Sequence, residues 1–112
     1  MSSITTHILD TSAGKPAAGV SVLLENKSDS DWKIIGNGIT NNDGRISNLI
    51  TSEKKTTPGI YRLTFETGSY FKSRNIKCFY PNVIIEFEIT DESHYHVPLL
   101  MNPFGYSTYR GS

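Results

Sequence analysis

Short segments in which hydrophobic and polar residues alternate run through the whole chain, separated by clusters of Gly, Asn, Asp and Pro. Such alternation is typical of β-strands, because successive side chains of a strand point to opposite faces. The pattern predicts strands at positions 4–10, 19–25, 32–38, 45–50, 60–66, 82–90, 94–101 and 105–111. Eight short strands at this spacing indicate an all-β sandwich or barrel, formed by a single domain that spans positions 1–112.

The segments between the strands carry turn signals. The stretch "NNDGR" contains an Asp-Gly pair, which predicts a tight hairpin turn. One stretch, "TGSYFKSRN", favours a short helix with Thr67 as its N-cap. Pro98 lies inside the seventh predicted strand. Because proline has no N–H to donate, we expect Pro98 at a sheet edge or at an irregular point of the ladder.

The charge balance argues against two classes of binding partner. Eleven basic and eleven acidic residues give a formal net charge of zero, which argues against a nucleic-acid binder and against attachment to an anionic membrane. The first residues lack the features of a signal peptide, and no stretch approaches the ~20 apolar residues of a membrane span. We therefore expect a cytoplasmic protein.

The single cysteine, Cys78, is interpreted as a half-buried structural thiol.

All three histidines lie in predicted strands. His94 and His96 are two positions apart, so they share one face of their strand, while the apolar residues that alternate with them face the core. In the first strand Ile4 and Ile8 share the core face, and His7 lies on the opposite one. The histidines are therefore predicted to lie on the outer face of a sheet.

Three interpretations of these histidines remain open at this point. In the first, the histidines are solvated surface residues. In the second, they are the three ligands of a catalytic zinc site. In the third, they are metal-free acid–base groups that titrate near neutral pH. The His-x-His pattern alone is weak evidence for zinc, because it also occurs by chance.

Other polar residues admit two interpretations each. Arg45, Tyr109 and Arg110 are either ordinary strand residues or groups suited to a flat or anionic ligand, since the guanidinium is a planar fork of donors. Glu86 and Glu88 share a face, and a solvated strand face explains them more simply than an acid–base pair does.

Taken together, three segments resemble one family. "ITTHILDTSAGKPAAGV", "NNDGR" and "HYHVPLLMNPFGYSTYRGS" occur in the order found in the 5-hydroxyisourate hydrolases, the transthyretin-like enzymes of purine breakdown. The resemblance covers essentially the whole chain, with "MNP" in place of the more usual "LSP". It implies a transthyretin-like sandwich of two four-stranded antiparallel sheets with one short helix. It also implies a homotetramer, a dimer of dimers, with active sites at the dimer–dimer interface.

The resemblance also implies an activity and a set of site residues. The reaction is hydrolysis of 5-hydroxyisourate to 2-oxo-4-hydroxy-4-carboxy-5-ureidoimidazoline, without metal or cofactor. The implied catalytic residues are His7, His96 and Ser112, and the implied substrate-binding residues are Arg45, Tyr109 and Arg110. Transthyretin itself, a hormone carrier, shares the fold but lacks this histidine set and the ending "YRGS". We therefore interpret the aromatic segment "YSTYRGS" as part of an active site.

Overall fold

The computed structural model describes residues 3–46, 49–50 and 56–112. These residues form two β-sheets around a common core, with one short helix. The elements are β1 (Ile4–Asp10), β2 (Lys15–Pro16), β3 (Ser21–Ser28), β4 (Asp31–Ile39), β5 (Arg45–Ile46), β6 (Gly59–Phe65), α1 (Thr67–Lys72), β7 (Val83–Ile89), β8 (Tyr95–Asn102) and β9 (Gly105–Thr108).

The strand order confirms the predicted two-sheet fold but corrects two details. The second sheet has four antiparallel strands, in the order β4-β3-β6-β7. The first sheet has the order β2-β1-β8-β9, and β5 also pairs with β1. It has five strands rather than four because the two-residue strands β2 and β5 share one edge of β1. The prediction that all pairs are antiparallel is wrong for β1 and β8, which run parallel.

The core lies where the alternation of hydrophobic and polar residues in the sequence predicts it. Buried side chains from both sheets meet between them, because one face of each strand is apolar. These buried side chains include Ile4, Ile8, Val22, Leu24, Leu63, Phe65, Val83, Ile89, Val97 and Leu99. Glu86 and Glu88 are exposed on β7, as a solvated strand face requires. Cys78 is half-buried and packs against the core, as predicted.

The "NNDGR" turn is present, but the predicted hairpin is wrong. β4 belongs to the second sheet and β5 pairs with β1 in the first, so the turn carries the chain from one sheet to the other. Gly44 adopts a positive φ of 73°, and its carbonyl accepts a hydrogen bond of 2.8 Å from the Ile8 N–H. A Cβ on Gly44 would lie 2.4 Å from the Ile8 carbonyl oxygen. Only glycine satisfies both the conformation and the close approach.

Several predicted elements differ in extent; the strand predicted over 105–111, for example, ends at Thr108. Of the strand predicted over 45–50, only Arg45–Ile46 is a strand; 49–50 is irregular, and 47–48 lies outside the described residues. Helix α1 is confirmed, but its N-cap is Glu66, without a side-chain cap, and Thr67 is its buried first residue.

None of the helical segments in the described residues is long and apolar enough to cross a membrane.

Pro98 lies at an irregular point of the ladder, as expected, although β8 is not an edge strand. The regular pairing of β8 with β9 ends at the pair Leu99 and Thr108, and pairing resumes only at an isolated bridge between His96 and Gly111. In the gap, the Thr108 hydroxyl donates to the Pro98 carbonyl over 2.7 Å. The missing N–H of proline thus coincides with the interruption of the ladder.

A buried carboxylate joins β1 to the helix. Asp10 is 1% exposed and accepts hydrogen bonds from the Tyr70 hydroxyl at 2.9 Å, the Ser12 hydroxyl at 2.6 Å and the Ala13 N–H at 3.1 Å. Burial raises the pKa of Asp10, but the hydrogen bonds from Ser12, Tyr70 and Ala13 outweigh it and leave the pKa below its ordinary value. Burial and the hydrogen bond to Asp10 raise the pKa of Tyr70 to about 12.

We predict that Asp10→Asn lowers the free energy of unfolding at pH 7 by about 1–3 kcal/mol, because buried donors lose a charged acceptor. A carboxyl whose pKa is depressed by folding stabilises the protein above its unfolded pKa, near 4, and this contribution is lost as the pH falls through the folded pKa. The difference between wild type and variant in urea titrations should therefore shrink below about pH 4.

Asp91→Asn is the matched control. Asp91 accepts comparable hydrogen bonds from Ser93 and Tyr95 but is exposed, so its substitution should cost less. Equal losses for the two variants, or a loss at Asp10 that does not change with pH, would contradict this account.

Candidate active site

The strand register brings the predicted site residues onto the outer face of the first sheet. Thr5 and His7 alternate with core residues on β1 and are half-buried. The parallel ladder sets Thr5 opposite His96 of β8, and the short ladder on the other side sets His7 opposite Arg45 of β5. Four residues that are distant in sequence therefore lie in two adjacent rows across three strands.

The turn before β5 fixes the position of Arg45 in the site. The Asn41 side-chain oxygen accepts hydrogen bonds from the main-chain N–H of Asp43 at 2.9 Å and of Arg45 at 3.1 Å. The Asn41 N–H donates in return to the Arg45 carbonyl over 2.9 Å. The asparagine thus closes the loop in the manner of an Asx turn, and the start of β5 is held beside His7.

The last residues of the chain complete the other side of the site. The Gly111 N–H donates to the His96 carbonyl over 2.8 Å, which holds the segment after β9 along β8. A Cβ on Gly111 would lie 2.5 Å from Cδ2 of the His96 ring. Glycine at this position therefore lets the main chain pack directly against the imidazole.

These groups line one open cleft with a volume of ≈ 410 Å³, within the roughly 300–1,000 Å³ typical of small-molecule sites. Its lining residues are Thr5, His7, Arg45, His94, His96, Tyr109, Gly111 and Ser112. Five of the six predicted site residues are therefore brought together. The cleft is open to the exterior, since Tyr109 is 61% exposed.

Arg110 is the predicted site residue that does not line this cleft. Its guanidinium lies 4.3 Å from the centre of the Tyr95 ring and donates to the Ser93 hydroxyl over 3.0 Å. Arg110 instead lines a separate cavity of ≈ 330 Å³, which it shares with Tyr109. A direct role of Arg110 in substrate binding stays a prediction.

Thr5 was not among the predicted site residues. Its hydroxyl lies 2.7 Å from Nδ1 of His96 and 3.0 Å from Nε2 of His94. The two rings are nearly parallel, at 14°, with centres 6.3 Å apart, and the other nitrogen of His94 is hydrogen-bonded to the Ser3 hydroxyl. The available signal was that Thr5 is two positions from His7 and so shares its face.

Burial and charge keep two of the imidazoles neutral. Burial lowers the pKa of both His7 and His96, and the positive charge of Arg45 lowers both further. At His7 a hydrogen bond with the main chain of Asp43 acts in the opposite direction, without cancelling the effect. At neutral pH both rings are therefore neutral and able to accept a proton.

The zinc interpretation finds no matching ligand set in the part of the chain that the structure describes. There, no three His, Cys, Asp or Glu side chains converge as metal ligands do. One nitrogen of His94 and one of His96 are instead both within hydrogen-bond distance of the Thr5 hydroxyl, which lies between them.

We predict that Arg45→Gln raises the pKa of both His7 and His96, because it removes a positive charge that disfavours both imidazolium ions. The pKa values are measured by NMR titration of the imidazole resonances. Arg74→Gln is the matched control, since it removes the same charge from a residue that does not line the cleft. Unchanged histidine pKa values in Arg45→Gln would show that the arginine does not act on these rings.

Comparison with known proteins agrees with this geometry. The chain is 50% identical over 110 residues to the 5-hydroxyisourate hydrolase of Salmonella typhimurium, covering 97% of this chain and 80% of that protein. The structure of 5-hydroxyisourate hydrolase from Klebsiella pneumoniae matches with a TM-score of 0.84 and 40% identity, over 97% of this chain and 98% of that one.

A carrier of the same fold is also similar. Sea bream transthyretin, solved in complex with thyroxine, matches with a TM-score of 0.90 and 32% identity, over 96% of this chain and 93% of that one. The model of the HIUase/Transthyretin family matches residues 4–111. With nearly the whole chain matched in both sequence and fold, this protein belongs to the HIUase/Transthyretin family.

Proposed function

We propose that this protein hydrolyses 5-hydroxyisourate to 2-oxo-4-hydroxy-4-carboxy-5-ureidoimidazoline in urate degradation, by metal-free acid–base catalysis. The observation that carries the proposal is the cleft in which two neutral imidazoles and a guanidinium face one space, with Tyr109 and Ser112 at its rim. A transthyretin-like carrier function is less well supported, because the identity to the hydrolases, 50% and 40%, exceeds the 32% to transthyretin.

The substrate has the chemistry that the cleft can recognise. It is a flat, polar ring system with several carbonyl oxygens, and it ionises readily. A guanidinium binds such oxygens in its own plane with two parallel hydrogen bonds, which a lysine ammonium cannot reproduce. We therefore assign Arg45 to substrate binding, together with Tyr109, whose ring is exposed along the cleft.

The reaction opens the six-membered ring at an amide bond. The oxygen of a water molecule bonds to the ring carbonyl carbon while a neutral imidazole takes one of the water's protons. The carbonyl electron pair moves onto oxygen, where the positive charge of Arg45 offsets the developing negative charge. As the electron pair returns, the carbon–nitrogen bond breaks and the proton passes from imidazolium to the ring nitrogen.

His7 and His96 are the two groups suited to this proton transfer, because both are neutral at working pH and line the cleft. Ser112 is assigned to hydrogen bonding with the water or the substrate. No covalent intermediate is required, since neither imidazole nor serine needs to bond to carbon in this sequence of steps.

We also propose that the active protein is a homotetramer, a dimer of dimers, with the cleft at the dimer–dimer interface. The cleft is open on its outer side, with Arg45, Tyr109 and Ser112 exposed. A second copy of the chain placed over the first sheet would enclose the substrate and exclude water, which strengthens the electrostatic interactions inside.

We predict that His7→Ala and His96→Ala each reduce kcat by about 10²–10⁴-fold, the range that positioned acid–base groups contribute. The substrate is generated from urate with urate oxidase, and its decay is followed by ultraviolet absorbance. Circular dichroism and sedimentation check that the variants stay folded and keep the wild-type oligomeric state. Arg45→Lys should also be strongly impaired, whereas Arg74→Lys, the matched control away from the cleft, should not.

Decay at the buffer's own rate with folded wild-type protein would refute the proposed function. An unchanged rate in either histidine variant would remove that residue from the mechanism.

We further predict that dialysis against a chelator leaves the rate unchanged, because proton transfer and charge stabilisation are assigned to side chains alone. Metal content is measured on the same sample, so that residual zinc is detected. Loss of activity that added zinc restores would instead support the three-histidine zinc site.

A further inference from the structure

The hydroxyl of Thr5 sits between two imidazoles that the proposed mechanism uses unequally. It contacts Nδ1 of His96 at 2.7 Å and Nε2 of His94 at 3.0 Å, while Nδ1 of His94 is hydrogen-bonded to the Ser3 hydroxyl. A hydroxyl has a single proton to donate. Of the two nitrogens that face Thr5, at most one can accept that proton, so at least one must carry a proton of its own and donate it.

With both rings neutral and the Thr5 proton donated to one of them, two self-consistent arrangements remain. In the first, the His96 Nδ1–H donates to Thr5, Thr5 donates to Nε2 of His94, and the His94 Nδ1–H donates to Ser3. In the second, every donor and acceptor is reversed. The first leaves Nε2 of His96 without a proton, so that it can act as a base; the second puts an N–H there, which cannot accept one.

The charge in the cleft favours the first arrangement. Arg45 and His96 line the same space, and the positive charge of Arg45 acts on the His96 ring. A bare nitrogen lone pair is stabilised near a cation, whereas an N–H dipole pointing toward it is destabilised. His96 also has little freedom to turn away, because Gly111 packs against Cδ2 on the other side of the ring.

We propose that Thr5 is a positioning residue that, together with His94, holds His96 in the tautomer with Nδ1 protonated and Nε2 free to take a proton from water. This inference deepens the proposed function, on which its catalytic consequence rests. It also gives His94 a role. As a second imidazole on the same strand face, His94 accepts the Thr5 proton, which would otherwise go to Nδ1 of His96. His94 thus helps His96 to act as a base.

The hydrogen-bond assignment is tested without substrate. The protein is labelled with ¹⁵N-histidine, and the nitrogen shifts of His96 are measured by long-range ¹H–¹⁵N correlation above its pKa. We expect Nδ1 to show the shift of a protonated nitrogen and Nε2 that of a bare one. The reversed pattern in the wild-type protein would overturn the proposal.

Thr5→Val removes the hydroxyl and keeps the β-branched shape that suits a strand. We expect the His96 tautomers to become mixed and kcat to fall about tenfold or more, with KM little changed, because a base is lost rather than a substrate contact. Thr5→Ser retains the hydroxyl and should restore both the nitrogen shifts and kcat. Thr64→Val, the same change on β6 of the opposite sheet, is the matched control.

His94→Phe tests the other half of the network and serves if Thr5→Val fails to fold. It keeps a flat ring beside His96 but removes the acceptor for the Thr5 proton. That proton can then turn to Nδ1 of His96, so we expect the Nε2–H tautomer to increase and kcat to fall. Nitrogen shifts and kcat that stay at wild-type values in either folded variant would refute the proposal. Failure of the proposed function would appear differently, as wild-type protein without activity toward 5-hydroxyisourate.

Discussion

The parallel pairing of β1 with β8 is the constraint on which the site depends. In that register Thr5 lies opposite His96, and the next row sets His7 beside Arg45. Because side chains alternate along a strand, a slip of one residue would turn Thr5 and His7 into the core and bring Ile4 and Ile8 out to the surface. The free energy of burying the apolar face thus also maintains the geometry of the polar face.

Strand β1 combines the structural and chemical roles because of this same alternation. Its inward face ends in Asp10, whose carboxylate is held by Tyr70 of α1 and so connects the strand to the helix. Its outward face carries Thr5 and His7 into the cleft. Asp10 keeps its charge because hydrogen-bond donors surround the buried carboxylate. His7 and His96 stay neutral because burial, and then the nearby charge of Arg45, lowers their pKa values.

The cleft also draws on two segments that are not regular strands. The turn from Asn41 carries the chain between the sheets and delivers Arg45 to the edge of β1. The segment after β9 stays along β8 beyond the interruption at Pro98, because the Gly111 N–H donates to the His96 carbonyl and Gly111 has no side chain to collide with His96. Irregular backbone thus supplies the cation and one wall, while regular strands supply the bases.

The sequence by itself determined which residues face the core, since the two-residue period of His7, His94 and His96 against their apolar neighbours needs no knowledge of strand partners. It also carried, through its family resemblance, five residues that the cleft unites. Only the tertiary structure decided that β1 and β8 are parallel, that the "NNDGR" turn joins two sheets, that Arg110 packs on Tyr95, and that Thr5 connects two imidazoles. The physical reason is that alternation specifies the direction of a side chain, whereas its neighbour across the sheet depends on pairing between residues as far apart as Thr5 and His96.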